Sequence, residues 1–380
     1  LTYNTEDLLL LSSALFKAQP VSALFASALR VWLYIGCLVL ERACQVLLRI
    51  LAKVGACCCC SPESRGYDRI GESGSGVPSP FGGRYPFVYT DKLRTSRDSE
   101  GRKYLNSYLV LETLDTGSSG KVKLAVDLNT REYYAIKKYN KVLLKKKKLG
   151  LQRNEYENVL REIRILQKLK HPNIIQLFEV INDEEDKYIY LVMEYLSGGS
   201  ILSKQQATIC LDEEVARSYF VDVACGLEYL HLNHVIHRDI KPDNIVLTGD
   251  AKIAKICDFS VSHVFEDNDD RLSSSAGAPA FLAPELVSVR GQSHGKATDL
   301  WALGVTLYYF VYGTCPFLGP SIPAIYEKIQ NQELALPPVL PNGQAPSEQL
   351  QDLLHRLLTK DPKRRATMKD PQAPLVCGPI

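Results

Sequence analysis

Asp239, Lys241 and Asn244 stand close together in the segment His237-Arg238-Asp239-Ile240-Lys241-Pro242-Asp243-Asn244, and Asp258 follows fourteen residues after Asn244. A carboxylate that takes a proton, a lysine that meets negative charge, and an amide paired with a second carboxylate for a hard divalent cation suit one chemistry, phosphoryl transfer. That reaction asks for little covalent work. It asks that phosphates be held, that their charge be neutralised and that an attacking hydroxyl be oriented. On this reading Asp239 accepts the hydroxyl proton, Lys241 meets the transferring group, and Asn244 and Asp258 hold magnesium.

The parts that would hold the phosphates lie upstream, in the order the chemistry needs. Leu114-Asp115-Thr116-Gly117-Ser118-Ser119-Gly120-Lys121-Val122 sits between two strand-like runs, where glycines let main-chain N–H groups approach phosphate oxygens. Taken alone, a glycine turn in a hairpin has the same composition. Tyr134-Ala135-Ile136-Lys137 then places a lysine on the next strand for the α- and β-phosphates, and a following helix carries Glu162, which can pair with it. Downstream, Asp258-Phe259-Ser260 and Ala283-Pro284-Glu285 bracket a segment of the length such a site uses, with Asp299 and Arg365 beyond. The nearby run Lys145 to Lys148 reads as a solvated face.

These residues need a scaffold with a cleft. Val-rich alternating segments over residues 108 to 137 and 188 to 195 predict antiparallel strands, and the period of Val159 to Lys170 predicts a helix between them. Beyond Gly199 the chain reads as mostly helical. The fold class is therefore α+β: a small antiparallel-sheet lobe with one helix, then a larger helical lobe, with the cleft between them. The organisation is an apolar segment over 1–60 ending in a cysteine run, a Ser/Gly/Pro-rich linker over 61–107, the catalytic domain over 108–370 and a tail over 371–380.

Lys plus Arg number 45 against 43 Asp plus Glu, so no global field draws the chain to nucleic acid, and none is expected as a partner. The 11 cysteines show no zinc-site spacing, and Cys57, Cys58, Cys59 and Cys60 are adjacent, which suits neither a metal tetrahedron nor a disulfide framework. A cytoplasmic location follows. No basic region with a cleavage site precedes the apolar stretch, so a secretory signal is not evident; the first residue is Leu1, and the N-terminus is read as incomplete. At 100° per residue, Arg30, Glu41, Arg42, Gln45, Arg49 and Lys53 fall within an arc of about 140°, which predicts a long amphipathic helix over residues 21 to 54. A bilayer span would bury Arg30 at its centre at roughly 2.5 to 3.5 kcal/mol. An interfacial helix on the cytosolic face, with the cysteine run acylated beside it, fits better, and a helix docked on the catalytic domain is the remaining reading.

From about Tyr108 to Thr367 the motifs above resemble the eukaryotic protein kinase superfamily. The resemblance implies a bilobal kinase fold, ATP and Mg2+ as cofactors, and a protein as substrate. It also implies that Gly117, Ser118 and Gly120 cover the phosphates, that Val122 and Ala135 line the nucleotide pocket, that Met193 is the gatekeeper, and that Glu194 and Leu196 make hinge contacts. Asp299 would support the catalytic loop and Glu285 would pair with Arg365, while Lys241 after the catalytic aspartate marks the serine/threonine type. Within the superfamily, Leu160-Arg161-Glu162, Leu169-Lys170-His171-Pro172-Asn173-Ile174-Ile175, Asp258-Phe259-Ser260-Val261-Ser262 and Gly304-Val305-Thr306-Leu307-Tyr308 resemble the calcium/calmodulin-dependent protein kinase kinase group. They resemble above all its plant members, which activate sucrose-non-fermenting-related relatives of AMP-activated kinase. That implies another serine/threonine kinase as the substrate; no calmodulin-binding segment is evident, so calmodulin is not expected as a partner.

Three residues depart from the family pattern. Asp115 replaces the first loop glycine and adds negative charge near the phosphates, which predicts weaker nucleotide binding. Ser260 replaces the glycine of the metal motif, and Ala278 replaces a threonine that hydrogen-bonds the catalytic aspartate. A pseudokinase scaffold that binds partners without transfer is the alternative these departures motivate. Arg238 is a cation beside the catalytic aspartate, and Ser273, Ser274 and Ser275 lie where phosphorylation would bring it an anion and order the segment.

Overall fold

The computed structural model describes residues 87–117, 120–149, 153–201, 210–266, 269–272, 276–288 and 293–368. The apolar segment 1–60, the first part of the linker, Ser118, Ser273, Ser274, Ser275 and the tail 371–380 lie outside the described residues. Among the described residues no helix is long and apolar enough to cross a membrane.

Eight strands form one sheet: β1 Val88–Thr90, β2 Thr95–Arg97, β3 Lys103–Leu105, β4 Tyr108–Gly117, β5 Gly120–Asp127, β6 Tyr133–Asn140, β7 Leu177–Ile181 and β8 Tyr188–Glu194. Their order across the sheet is β1-β7-β8-β6-β5-β4-β3-β2, antiparallel throughout except that β1 runs parallel to β7. β8 shows why these residues make strands. Ile189, Leu191 and Met193 enter the large core, while Tyr190 and Val192 enter a second cluster with Leu105, Tyr108, Tyr134 and Ile136. A period of two thus buries both faces of β8, each large apolar side chain contributing about 1.5–3 kcal/mol.

Residues 88–105, within the stretch read as linker, carry three strands of this sheet and occupy both of its edges. The reason they read as linker is chemical. β2 is Thr-Ser-Arg with every side chain exposed, and its placement comes from main-chain pairing and from Asp98, whose carboxylate accepts from the Arg102 N–H and Nε and from the Tyr104 hydroxyl. Leu93 packs on the second cluster where the chain passes between β1 and β2, and its N–H donates to Asp183 at 2.9 Å.

The helices are α1 Lys141–Lys146, α2 Glu155–Leu166, α3 Glu213–Leu232, α4 Pro284–Val287, α5 Gly295–Tyr312, α6 Ile322–Asn331 and α7 Glu348–Leu357. α2 begins and ends four residues before the Val159-to-Lys170 helix predicted from periodicity. Capping outweighs the apolar period here: the Asn154 side chain accepts from the Glu157 N–H, acidic Glu155 and Glu157 open the first turn, and Pro172 steers His171 away from helix. α5 is apolar nearly all round and forms the axis of the helical lobe, packed against α3 and α7.

Candidate active site

Lys137 lies on β6 and Glu162 on α2, and tertiary packing of that helix against the sheet brings them together. The lysine Nζ is 3.0 Å from Glu162 Oε1 and 2.9 Å from Asp258 Oδ1, while the Tyr139 hydroxyl donates to Glu162 Oε2 at 2.7 Å. Glu162 is 1% exposed and Lys137 6%. Burial alone would favour the neutral amine, but Glu162 and, beyond it, Asp258 outweigh burial and hold the lysine pKa well above its ordinary value. Burial likewise pushes the Asp258 carboxyl up, and the Lys137 cation overrides it, leaving the pKa at about 2. Both groups are thus charged at neutral pH.

Of the residues read as nucleotide contacts, Val122, Ala135, Lys137 and Met193 share one face of the sheet. Val122 pairs with Lys137 across β5 and β6, and Met193 pairs with Ala135 across β8 and β6. Leu196 is buried just beyond the end of β8. Gly117 and Gly120 pair at the tip of the β4–β5 hairpin, with Ser118 outside the described residues. Gly120 has φ of +142°, and a Cβ there would sit 2.7 Å from the Lys138 carbonyl oxygen, so this position accepts no other residue without a shift. The Asp115 carboxylate accepts from the adjacent Thr116 N–H at 2.7 Å.

Asp239 is held from three sides. Its Oδ2 accepts from Lys241 Nζ at 2.7 Å and from Asn244 Nδ2 at 2.8 Å, and its Oδ1 accepts from the Ala278 N–H at 3.1 Å. The main chain of Ala278 therefore supplies a donor to the aspartate although its side chain cannot. Gly277, with φ of +115°, brings that amide in: a Cβ would lie 2.6 Å from the Arg238 carbonyl oxygen. Beneath the loop, buried Asp299 on α5 accepts from His231 Nε2 and the His237 N–H, each at 2.9 Å, and from the Arg238 N–H at 2.8 Å. Arg238 and Asp258 both adopt left-handed backbone, φ +70° and +60°, a cost of about 1–3 kcal/mol per residue that the surrounding bonds sustain.

Asn244 directs its amide N–H onto Asp239, which leaves its side-chain oxygen to act as a ligand, and its main-chain carbonyl accepts from the Cys257 N–H at 2.8 Å, one residue before Asp258. Among the described residues no group of three or more His, Cys, Asp or Glu side chains forms a ready metal cage. One amide and one carboxylate fit a hard cation that takes its other ligands from water and phosphate, as magnesium does. Arg365 grips Glu285 with two bonds, 2.7 and 2.8 Å, and also donates to the carbonyls of Ala297, Thr359 and Lys360, locking the segment after Ala278 to the helical lobe. Arg238 is half-buried, which pushes its pKa down; the Asp299 charge opposes that and the charge of Arg161 on α2 adds to it.

Two contacts escaped sequence reasoning. The Tyr139 bond to Glu162 joins residues 23 apart and has no motif, and Lys255 pairs with Glu194 at 2.8 Å across 61 residues. Only the i, i+2 spacing of Tyr139 from Lys137 signalled the first.

Residues 108–373 match the family model described as Protein kinase domain. The chain is similar to a protein described as a probable serine/threonine-protein kinase of Dictyostelium discoideum, 43% identical over 299 residues, covering 77% of this chain and 41% of that one. It is similar to the serine/threonine-protein kinase GRIK2 of Arabidopsis thaliana, 41% identical over 286 residues, 75% of this chain and 69% of the other. It is also similar to the calcium/calmodulin-dependent protein kinase kinase of Caenorhabditis elegans, 42% identical over 304 residues, 75% of this chain and 55% of the other. The chain spans less than half the length of the first of these relatives and little more than half of the last.

Proposed function

The chain belongs to the protein kinase family and is a serine/threonine-protein kinase, and from that premise we propose that it acts upstream of another kinase, phosphorylating an activation-loop hydroxyl of an AMP-activated or sucrose-non-fermenting-related kinase. The observation that carries this reading is the set of subgroup motifs around Glu162, His171 and Asp258, together with a relative whose name is that of a kinase kinase.

In this mechanism ATP is the phosphoryl donor. Lys137, fixed by Glu162, holds the α- and β-phosphates; the hairpin ending at Gly117 and Gly120 covers them; Met193, Glu194 and Leu196 receive the base with Val122 and Ala135. Asp239 accepts the proton of the substrate hydroxyl at an oxygen steered by Asn244, Lys241 and the Ala278 amide. Lys241 then turns its charge to the transferring group. Asn244 and Asp258 would hold magnesium, which would supply neutralisation of the phosphate charge. Phosphate on Ser273, Ser274 or Ser275 would bring an anion to Arg238 and order the activation segment; unchanged activity after alanine replacement of all three serines overturns that part. Residues 21–60 serve as a cytosolic-face membrane tether acylated at Cys57 to Cys60, a reading lost if replacement of those cysteines leaves sedimentation with membranes unaltered.

The test is a radiolabelled ATP assay of the full chain with magnesium on an inactive AMP-activated-type kinase domain, beside Asp239→Asn. Label on the acceptor's activation-loop threonine, absent with Asp239→Asn, supports the reading. Label on generic substrates alone rejects the upstream role, and no label at all with nucleotide binding intact favours the scaffold reading.

A further inference from the structure

Glu194 is the last residue of β8, where the sheet ends and the chain crosses to the helical lobe. Lys255 is the middle residue of the strand Ala254–Ile256, which pairs with Ile245–Leu247 directly after Asn244 and reaches Asp258 three positions later. The Lys255 Nζ lies 2.8 Å from one Glu194 oxygen and 2.9 Å from the other, so the carboxylate is gripped symmetrically. The two side chains are 13% and 25% exposed, which removes most of the solvent that makes surface ion pairs worth little. The grip extends into the sheet as well: the Glu194 N–H donates to the Gln176 carbonyl at 2.9 Å, and the Gln176 N–H approaches a Glu194 oxygen at 3.4 Å.

We propose that Lys255 is a positioning residue of the nucleotide cleft, which ties the segment that receives the base to the strand that leads into the metal carboxylate. The pair joins the two lobes behind the cleft. It fixes the distance between the base-binding edge at Glu194 to Leu196 and the phosphate-binding end at Asp258. With Lys255 neutralised, the Glu194 carboxylate keeps only the long Gln176 contact and turns to water, drawing its own backbone with it. A displacement of that kind near bound nucleotide lowers affinity while leaving Asp239 and its donors in place. The pair touches neither phosphate nor hydroxyl, so its effect belongs to binding rather than to transfer.

The experiment uses the full chain with Lys255→Met, Glu194→Gln, Lys255→Arg and the exchange Lys255→Glu/Glu194→Lys. Binding of a fluorescent ATP analogue is measured without turnover, so the result stands apart from the identity of the protein substrate; the KM for ATP and kcat are then read on a generic acceptor. The two single neutral variants are expected to weaken nucleotide binding and raise the KM for ATP roughly tenfold, with kcat changed less than about threefold. Arginine, and the exchange, restore binding. Loss of thermal stability with unchanged nucleotide affinity in both neutral variants overturns the proposal, as does an exchange variant that binds no better than the singles.

Discussion

Lys137 and Asp258 are joined directly, Nζ to Oδ1 at 2.9 Å, so one lysine links the helix carboxylate Glu162 to the carboxylate expected to hold metal. Glu162→Gln breaks a pair whose members are 8% and 1% exposed at the side chain. It leaves the lysine drawn to Asp258 alone. Breaking a buried pair by removing one partner costs about 3–5 kcal/mol, so a fall in Tm of several degrees is expected, together with a loss of kcat/KM of about a hundredfold or more. Differential scanning calorimetry and steady-state kinetics on the same preparation check both.

The Asp258 carboxyl, held at about 2 against an ordinary 3.8, stabilises the native state at every pH above 3.8, and that contribution disappears as pH falls through 2. The stability difference between the wild type and Asp258→Asn is therefore expected to be constant from pH 8 to pH 5, at about 1–2 kcal/mol after allowance for partial exposure, and to shrink below pH 4. Urea titrations across that range measure it.

His171 stacks on Tyr229 with ring centroids 4.9 Å apart, and its pKa is pushed from 6.5 down to about 4, by burial first and by the Lys255 charge second. The folded chain keeps it neutral where the unfolded chain protonates it. Its contribution is complete above pH 6.5 and is lost as pH falls toward 4. His171→Phe, which keeps a ring against Tyr229, is expected to flatten the dependence of Tm on pH between 4 and 6.5; an unchanged slope in that window refutes the assignment.

Gly277→Ala places a methyl group 2.6 Å from the Arg238 carbonyl at a φ of +115°. The amide of residue 278 must then leave Asp239. The expected result is a destabilisation of about 1–3 kcal/mol with a fall in kcat of at least tenfold and little change in the KM for ATP. Rate measurements at saturating ATP separate that from a simple loss of folded protein.

A chain started at Tyr108 lacks both edge strands and uncovers Leu105's neighbours Tyr108, Tyr134 and Ile136 in the second apolar cluster. It is expected to lose several kcal/mol and to aggregate, whereas a start before Val88 retains the wild-type Tm. Thermal melts of the two chains decide it.

The grouping of the candidate site residues was legible because each sits at a fixed offset within a short segment: Asp239, Lys241 and Asn244 share one loop, and Asp258 and Phe259 another. The backbone of those loops dictates the geometry, so spacing is enough. Contacts between segments were legible only where a motif stood for them, as with Lys137 and Glu162 or Glu285 and Arg365. The Glu194–Lys255 pair joins two charged residues whose types would serve equally well on any surface, and nothing local sets them apart. β2 was missed for a related reason. Thr95, Ser96 and Arg97 have no apolar alternation because their strand is held by main-chain bonds at a sheet edge and buries no side chain of its own.

The first strand of the sheet also decides how force enters the molecule. The described chain enters the sheet through β1, whose bonds to β7 run beside Glu179 and Ile181, with Thr90 hydrogen-bonded to Glu179 and Tyr108 donating to the same carboxylate. Tension applied along that strand meets its interstrand bonds side by side, in shear, and they resist together instead of opening one after another. It is delivered to β7, the strand beside the one that ends at Glu194.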